Sequence, residues 1–89
     1  MTALDTLALR PAQVDCLRAC SRAGSLRRLS TGDWAGNRRE RAFSGLTVGD
    51  LRDLGLLERH PPQDGYPATY RLTRKGHEAL AALAAQAEG

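Results

Sequence analysis

Apolar side chains recur along this chain in two different rhythms, and the change of rhythm divides it into elements. From Ala12 to Arg22 the apolar positions Val14, Cys16, Leu17 and Cys20 fall on adjacent turns of a helix, while Asp15, Arg18 and Arg22 face the other way. Pro11 suits the first helical turn, and Gly24 after Ala23 suits a left-handed C-cap. A second helix is predicted from Ser44 or Gly45, with Val48, Leu51, Leu54 and Gly55 on its inner side and Gly55 closing it. The rhythm then shortens. Leu56 to His60 reads as a strand, Pro61 to Pro67 as a loop with no regular element, and Ala68 to Leu72 as a second strand with Tyr70 and Leu72 on one face. Thr73 is a natural N-cap for a third helix from Arg74 to about Ala87, carrying Leu80, Leu83 and Ala84 as apolar positions.

Residues 25–43 follow neither rhythm. Ser25 to Ser30 fits a short helical turn or a short strand, and turn-forming residues flank Trp34 on both sides. An irregular or hairpin-like insert is expected there, with Trp34 anchoring it onto the core. Residues 1–9 carry no firm signal and read as a lead-in. With 89 residues and 42% apolar composition, the chain makes one domain over 1–89, its core built from Leu, Ala and Val because aromatics are only 4%. A small core of this kind gains from partnering, and the alanine-rich third helix (Ala81, Ala82, Ala84, Ala85, Ala87) offers a close-packing face for a homodimer.

The formal charge of +3 is carried almost wholly by arginine, Lys75 being the one lysine. Arg27, Arg28, Arg38, Arg39 and Arg41 gather in the insert against only Asp33 and Glu40, an excess that suits either phosphate oxygens or an ordinary solvated loop. No run of eighteen apolar residues occurs, and the N-terminus lacks a basic-then-apolar leader pattern, so a cytoplasmic protein without membrane contact is expected. Cys16 and Cys20, four apart on a helix, share a face but are poorly placed for a disulfide, so two reduced, buried thiols are expected. A metal or redox sensor would need further ligands, and His60 and His77 stand outside any recognised zinc spacing. Neither a nucleophile motif nor a glycine-rich phosphate loop is present, and a chain this short has little volume for an active site. Neither enzymatic activity nor a cofactor or metal is expected.

The order helix, insert, helix, strand, loop, strand, helix resembles a winged helix-turn-helix of the MarR-like and PadR-like bacterial or phage regulators. Two strings carry the resemblance. Thr47-Val48-Gly49-Asp50-Leu51-Arg52-Asp53-Leu54-Gly55-Leu56-Leu57 is similar to a recognition helix and its exit, and Tyr70-Arg71-Leu72-Thr73-Arg74-Lys75-Gly76-His77-Glu78-Ala79-Leu80 to the passage "Y-x-L-T-x-x-G" that follows the wing. The resemblance implies an α+β fold of three main helices and a two-stranded wing. It implies in turn a sequence-specific regulator that binds double-stranded DNA.

On that expectation, Ser44, Thr47, Asp50 and Arg52 contact the major groove and Arg38, Arg39, Arg41, Arg59 and Arg71 hold phosphates, with His60 beside Arg59 and Arg71 on the wing. Leu46, Gly49, Asp50 and Asp53 point away from the core, and carboxylates on that face repel phosphates; the wing loop holds Asp64 and no basic residue. A protein-binding winged helix, such as a small phage inhibitor or adaptor that uses the acidic helix face and the Trp34 region, is the alternative.

Overall fold

A computed structural model describes residues 9–36 and 41–88, with side chains to residue 85. Among these residues the order is α1 (Pro11–Ala23), β1 (Leu26–Arg28), β2 (Trp34–Ala35), α2 (Gly45–Asp53), β3 (Leu57–His60), β4 (Thr69–Leu72) and α3 (Arg74–Glu88). The fold is α+β, three helices packed on a four-stranded antiparallel sheet ordered β2-β1-β4-β3.

The first helix begins where Pro11 predicts. The Gln13 side chain reaches back to accept the Arg10 amide at 2.8 Å. Gly24 ends the helix at φ 86, its amide bonded to the Cys20 carbonyl at 2.8 Å. Cys16, Leu17, Ala19 and Cys20 are buried, whereas Val14, expected in the same stripe, is only half-buried.

The insert supplies the main departure from the expected two-stranded wing. Leu26 pairs with Tyr70 and Arg27 with Thr69, so β1 joins the β3–β4 hairpin as a third strand, and β2 adds a fourth through Arg27–Ala35 and Arg28–Trp34. A three-residue strand with one buried side chain offers too short a run for alternation to be read. Its pairing depends on Tyr70, forty-four residues away in sequence. Trp34 also exchanges backbone hydrogen bonds with Phe43 at 2.7 and 2.8 Å, which closes the insert on itself and brings the chain to α2.

The second helix is shorter than expected. Ser44 caps it, its hydroxyl accepting the Thr47 amide at 3.2 Å, and Leu54 is already its C-cap. Its buried stripe is therefore Val48 and Leu51 alone. Leu54, expected inside, is 44% exposed, and Gly55, expected beside it, is exposed at φ 79 as the chain turns away. Leu56 belongs to this exit rather than to β3, its amide bonded to the Leu51 carbonyl at 2.9 Å and its side chain fully buried.

The passage from β4 into α3 locks onto that exit. The Thr73 hydroxyl donates to the Gly55 carbonyl at 2.6 Å and accepts the Gly76 amide at 3.0 Å, while the Thr73 amide bonds the Leu56 carbonyl at 3.1 Å. Lys75 Nζ donates to the Leu54 carbonyl at 3.1 Å. Gly76 has no room for a side chain. A Cβ there would lie 2.2 Å from the Leu56 oxygen, which gives the glycine of the T-x-x-G string its physical cause. On α3 the buried positions are Gly76 and Ala79, with Leu80 and Leu83 half-buried and Ala84, expected in the core, exposed.

The core unites α1, β1, α2, β3, β4 and α3 around Leu17, Leu26, Leu51, Leu56, Leu57 and Phe43. Strand register puts Leu26, Leu57, Tyr70 and Leu72 on the helix side. The opposite side carries Arg27, Glu58, His60, Thr69 and Arg71, none of them buried, and only Ala35 at the β2 edge is buried there among the described residues. None of the helices over the described residues is long and apolar enough to cross a membrane.

Candidate functional site

Surface chemistry concentrates at two places, the outer face of α2 and the β3–β4 hairpin. Helical spacing aligns Leu46, Gly49, Asp50 and Asp53 away from the core, as expected. Leu46 is 82% exposed, and both aspartates are exposed beside it. At the head of the helix the Ser44 and Thr47 hydroxyls lie 3.2 Å apart, and the Thr47 amide is already bound to Ser44. The helix face is thus acidic with one large apolar side chain, and its hydroxyls begin engaged with each other.

Arg52, expected to reach outward, turns back instead. Its guanidinium lies beside the Tyr70 side chain and meets Asp53 Oδ1 at 3.4 Å. Both neighbours raise its pKa, Tyr70 foremost. Arg41 is similarly occupied. It lies 3.6 Å from Asp15 on α1 and stacks 5.5 Å from the centre of the Phe43 ring. Arg38 and Arg39 lie outside the described residues.

The hairpin differs. Arg59 stands opposite Tyr70 and therefore on the helix side of the sheet, whereas Arg71 stands opposite Glu58 on the open side. Both are exposed, and among the described residues neither has an ion-pair or hydrogen-bond partner for its guanidinium. Glu58 is drawn to His60 at 3.1 Å rather than to Arg71. Arg27 on β1 faces Thr69 and so lies diagonal to Arg71 on the open side, also without a partner among the described residues. One strand pair consequently presents free cations to both of its sides. Sequence reasoning named Arg59 and Arg71 together. It missed that they face opposite ways, which the period of two along paired strands contains once the register is known.

The loop beyond the hairpin is more ordered than its prolines predict. Gln63 and Tyr66 exchange backbone hydrogen bonds at 3.0 and 2.9 Å around Asp64 and Gly65, both at positive φ (49 and 84). This is the geometry of a type I′ turn, for which Asp-Gly is a preferred pair. Between the tip and the open side of the sheet lies an open cleft of about 370 Å3 lined by His60, Pro61, Asp64, Tyr66, Thr69 and Arg71 among others.

The cysteines lie far from any such chemistry. Cys16 and Cys20 are free thiols with essentially no exposure. Burial pushes Cys16 up to about 12, with Cys20 adding to the effect, and pushes Cys20 up to about 11 against an opposing backbone hydrogen bond from Leu72. Cys20 Sγ donates to the Tyr70 carbonyl at 3.6 Å. Among the described residues no three of His, Cys, Asp and Glu gather as a metal would require.

No protein-family model, curated protein or solved structure matches this chain.

Proposed function

We propose that this chain is a winged-helix domain that binds double-stranded DNA as a transcriptional regulator, and that it does so wing first. The observation that carries the reading is the pair Arg59 and Arg71, unpartnered among the described residues and on opposite sides of one hairpin. A hairpin entering a DNA groove runs between two phosphate walls, and cations on both sides suit that position. Arg27 extends the open-side cation row, and a sequence pI near 9.4 favours an anionic partner in general. Pairing of β1 with β4, and the lock of Thr73 and Gly76 against the exit of α2, hold the helix and the hairpin in one rigid unit.

The helix face makes a smaller contribution in this reading. Asp50 is suited to accept from a cytosine amino group, and Ser44 and Thr47 to meet a phosphate after exchanging their mutual hydrogen bond. Arg38, Arg39 and Arg41 add phosphate contacts from the insert, Arg41 by leaving Asp15. Two copies would pair through Ala81, Ala84 and Ala85, exposed along α3. A cytoplasmic site accords with a DNA ligand.

A second reading rests on Leu46. An 82% exposed leucine followed along the same face by two carboxylates is the composition of a protein-docking face with a basic counterpart. Titrating random duplex DNA over a salt series separates the two. Phosphate engagement predicts a log–log slope of about −0.9 per phosphate, reduced by about one contact in each of Arg59→Ala and Arg71→Ala. Absence of duplex binding at low salt would reject the DNA reading and leave the helix face as the interface.

A further inference from the structure

The cleft at the hairpin tip has features that phosphate contact alone does not require. Tyr66 is 76% exposed, the most exposed aromatic ring among the described residues, and it stands on a tip that is already built. The Asp64–Gly65 turn fixes the backbone on either side with two hydrogen bonds, and Pro61, Pro62 and Pro67 each lock a backbone angle. With the backbone already fixed, stacking on this exposed ring has only the side chain left to order. Within the same cleft lie the free Arg71 guanidinium and the Thr69 hydroxyl, and His60 forms part of the wall, tethered to Glu58.

We propose that this cleft takes a single nucleotide unit, the base stacked on Tyr66 and one phosphate held by Arg71 with Thr69 as a second donor. The inference rests on the nucleic-acid reading and deepens it, since Arg71 serves both. The cleft volume, about 370 Å3, lies at the small end of ligand sites, which run from about 300 to 1,000 Å3, and admits one nucleotide but no larger stack. The charge of the lining sets a limit too. Arg71 is accompanied by the Asp64 carboxylate, so the lining carries one free cation against one anion. With one cation to offer, the lining holds one phosphate group and disfavours a di- or triphosphate chain. The unit has two possible sources, a free mononucleotide or an unstacked nucleotide within a strand, and they share this chemistry.

Fluorescence polarisation with a short labelled oligothymidine, and isothermal titration with AMP, test it on the full chain at low salt. Tyr66→Ala is expected to weaken oligothymidine binding by about 5- to 150-fold, the range of one lost base stack. Tyr66→Phe keeps the ring and is expected to keep the affinity. Both substitutions are on the surface, and an unchanged thermal midpoint verifies that the fold is intact. AMP binding with the same Tyr66 dependence assigns the free nucleotide as a source, and binding of oligothymidine alone assigns the strand. If neither probe binds, or if Tyr66→Ala binds both as the wild type does, the proposal is overturned. In that event, duplex binding with its salt slope intact leaves the proposed function standing. Nucleotide binding without duplex binding has the reverse meaning.

Discussion

The indole of Trp34 stands edge-on to the phenol ring of Tyr70, with ring centres 4.7 Å apart and planes at 77°. Through this contact the insert is fastened to the central strand, because Tyr70 also faces Leu26 across β1–β4, accepts the Cys20 thiol on its carbonyl and lies beside Arg52. Edge-to-face aromatic pairs add about 0.5–1.5 kcal/mol beyond the area they bury. Trp34→Ala should therefore lower unfolding stability by about 2–3 kcal/mol, below the range for a fully buried Trp because the indole is only half-buried. Urea denaturation measures this. A loss under 1 kcal/mol would mean that Trp34 does not anchor the insert.

Two glycines give opposite expectations for the same substitution. At Gly76 a methyl group would sit 2.2 Å from the Leu56 carbonyl oxygen and 3.0 Å from Leu72, so Gly76→Ala must push α3 off the exit of α2, at a cost of about 1–3 kcal/mol or more. At Gly49, inside α2, the added carbon meets nothing within 4 Å. Gly49→Ala should stabilise the protein by about 0.5–1 kcal/mol through helix propensity. Thermal unfolding of the two variants side by side checks both signs.

Thr73 is the hinge pin of the same junction, its hydroxyl bridging Gly55 and Gly76. Thr73→Val preserves the shape and deletes both hydrogen bonds, for an expected loss of about 1–3 kcal/mol. Thr73→Ser, which keeps the oxygen, should recover most of it.

Buried thiols make stability depend on alkaline pH. In the fold Cys16 is raised to about 12 and Cys20 to about 11 from an ordinary 9.0, so the folded state holds its protons more tightly than the unfolded chain. The stabilisation is fully present below pH 9 and is lost as pH rises from 9 towards 12. Denaturation midpoints across that window should fall, and the fall should be shallower in a Cys16→Val, Cys20→Ala variant. In the native protein at pH 8 neither thiol should react with a thiol-specific reagent on the timescale of an unfolded control.

On the DNA reading, Asp50→Ala and Asp53→Ala remove repulsion without removing a phosphate contact. Duplex affinity should stay level or rise, and an electrophoretic or polarisation assay reads it directly. A fall on Asp50→Ala alone would identify that carboxylate as a base contact.

Much of this architecture is legible in the chain because its signals are local. Pro11, Gly24 and Ser44 mark helix boundaries through the few backbone groups they satisfy, and the alternation around Tyr70 gives β4 its inward face. The short strands of the insert are not legible, since β1 exists only by pairing with Tyr70 and Thr69. Leu54 was misjudged because helical spacing counts it as one more turn, whereas the helix has already ended at Asp53.

Sequence alone determined where the three helices begin, which side of α2 is acidic, and that Arg59 and Arg71 belong to one hairpin. Tertiary structure decided which arginines are free. Arg52 and Arg41 look as available as any other until the fold sets Tyr70 and Asp15 beside them, while register alone puts Arg59 and Arg71 on opposite sides. The reason is one of range. Caps and periodicities act over a few bonds, but a guanidinium's partner is chosen by whatever distant segment the packing of the core brings within reach.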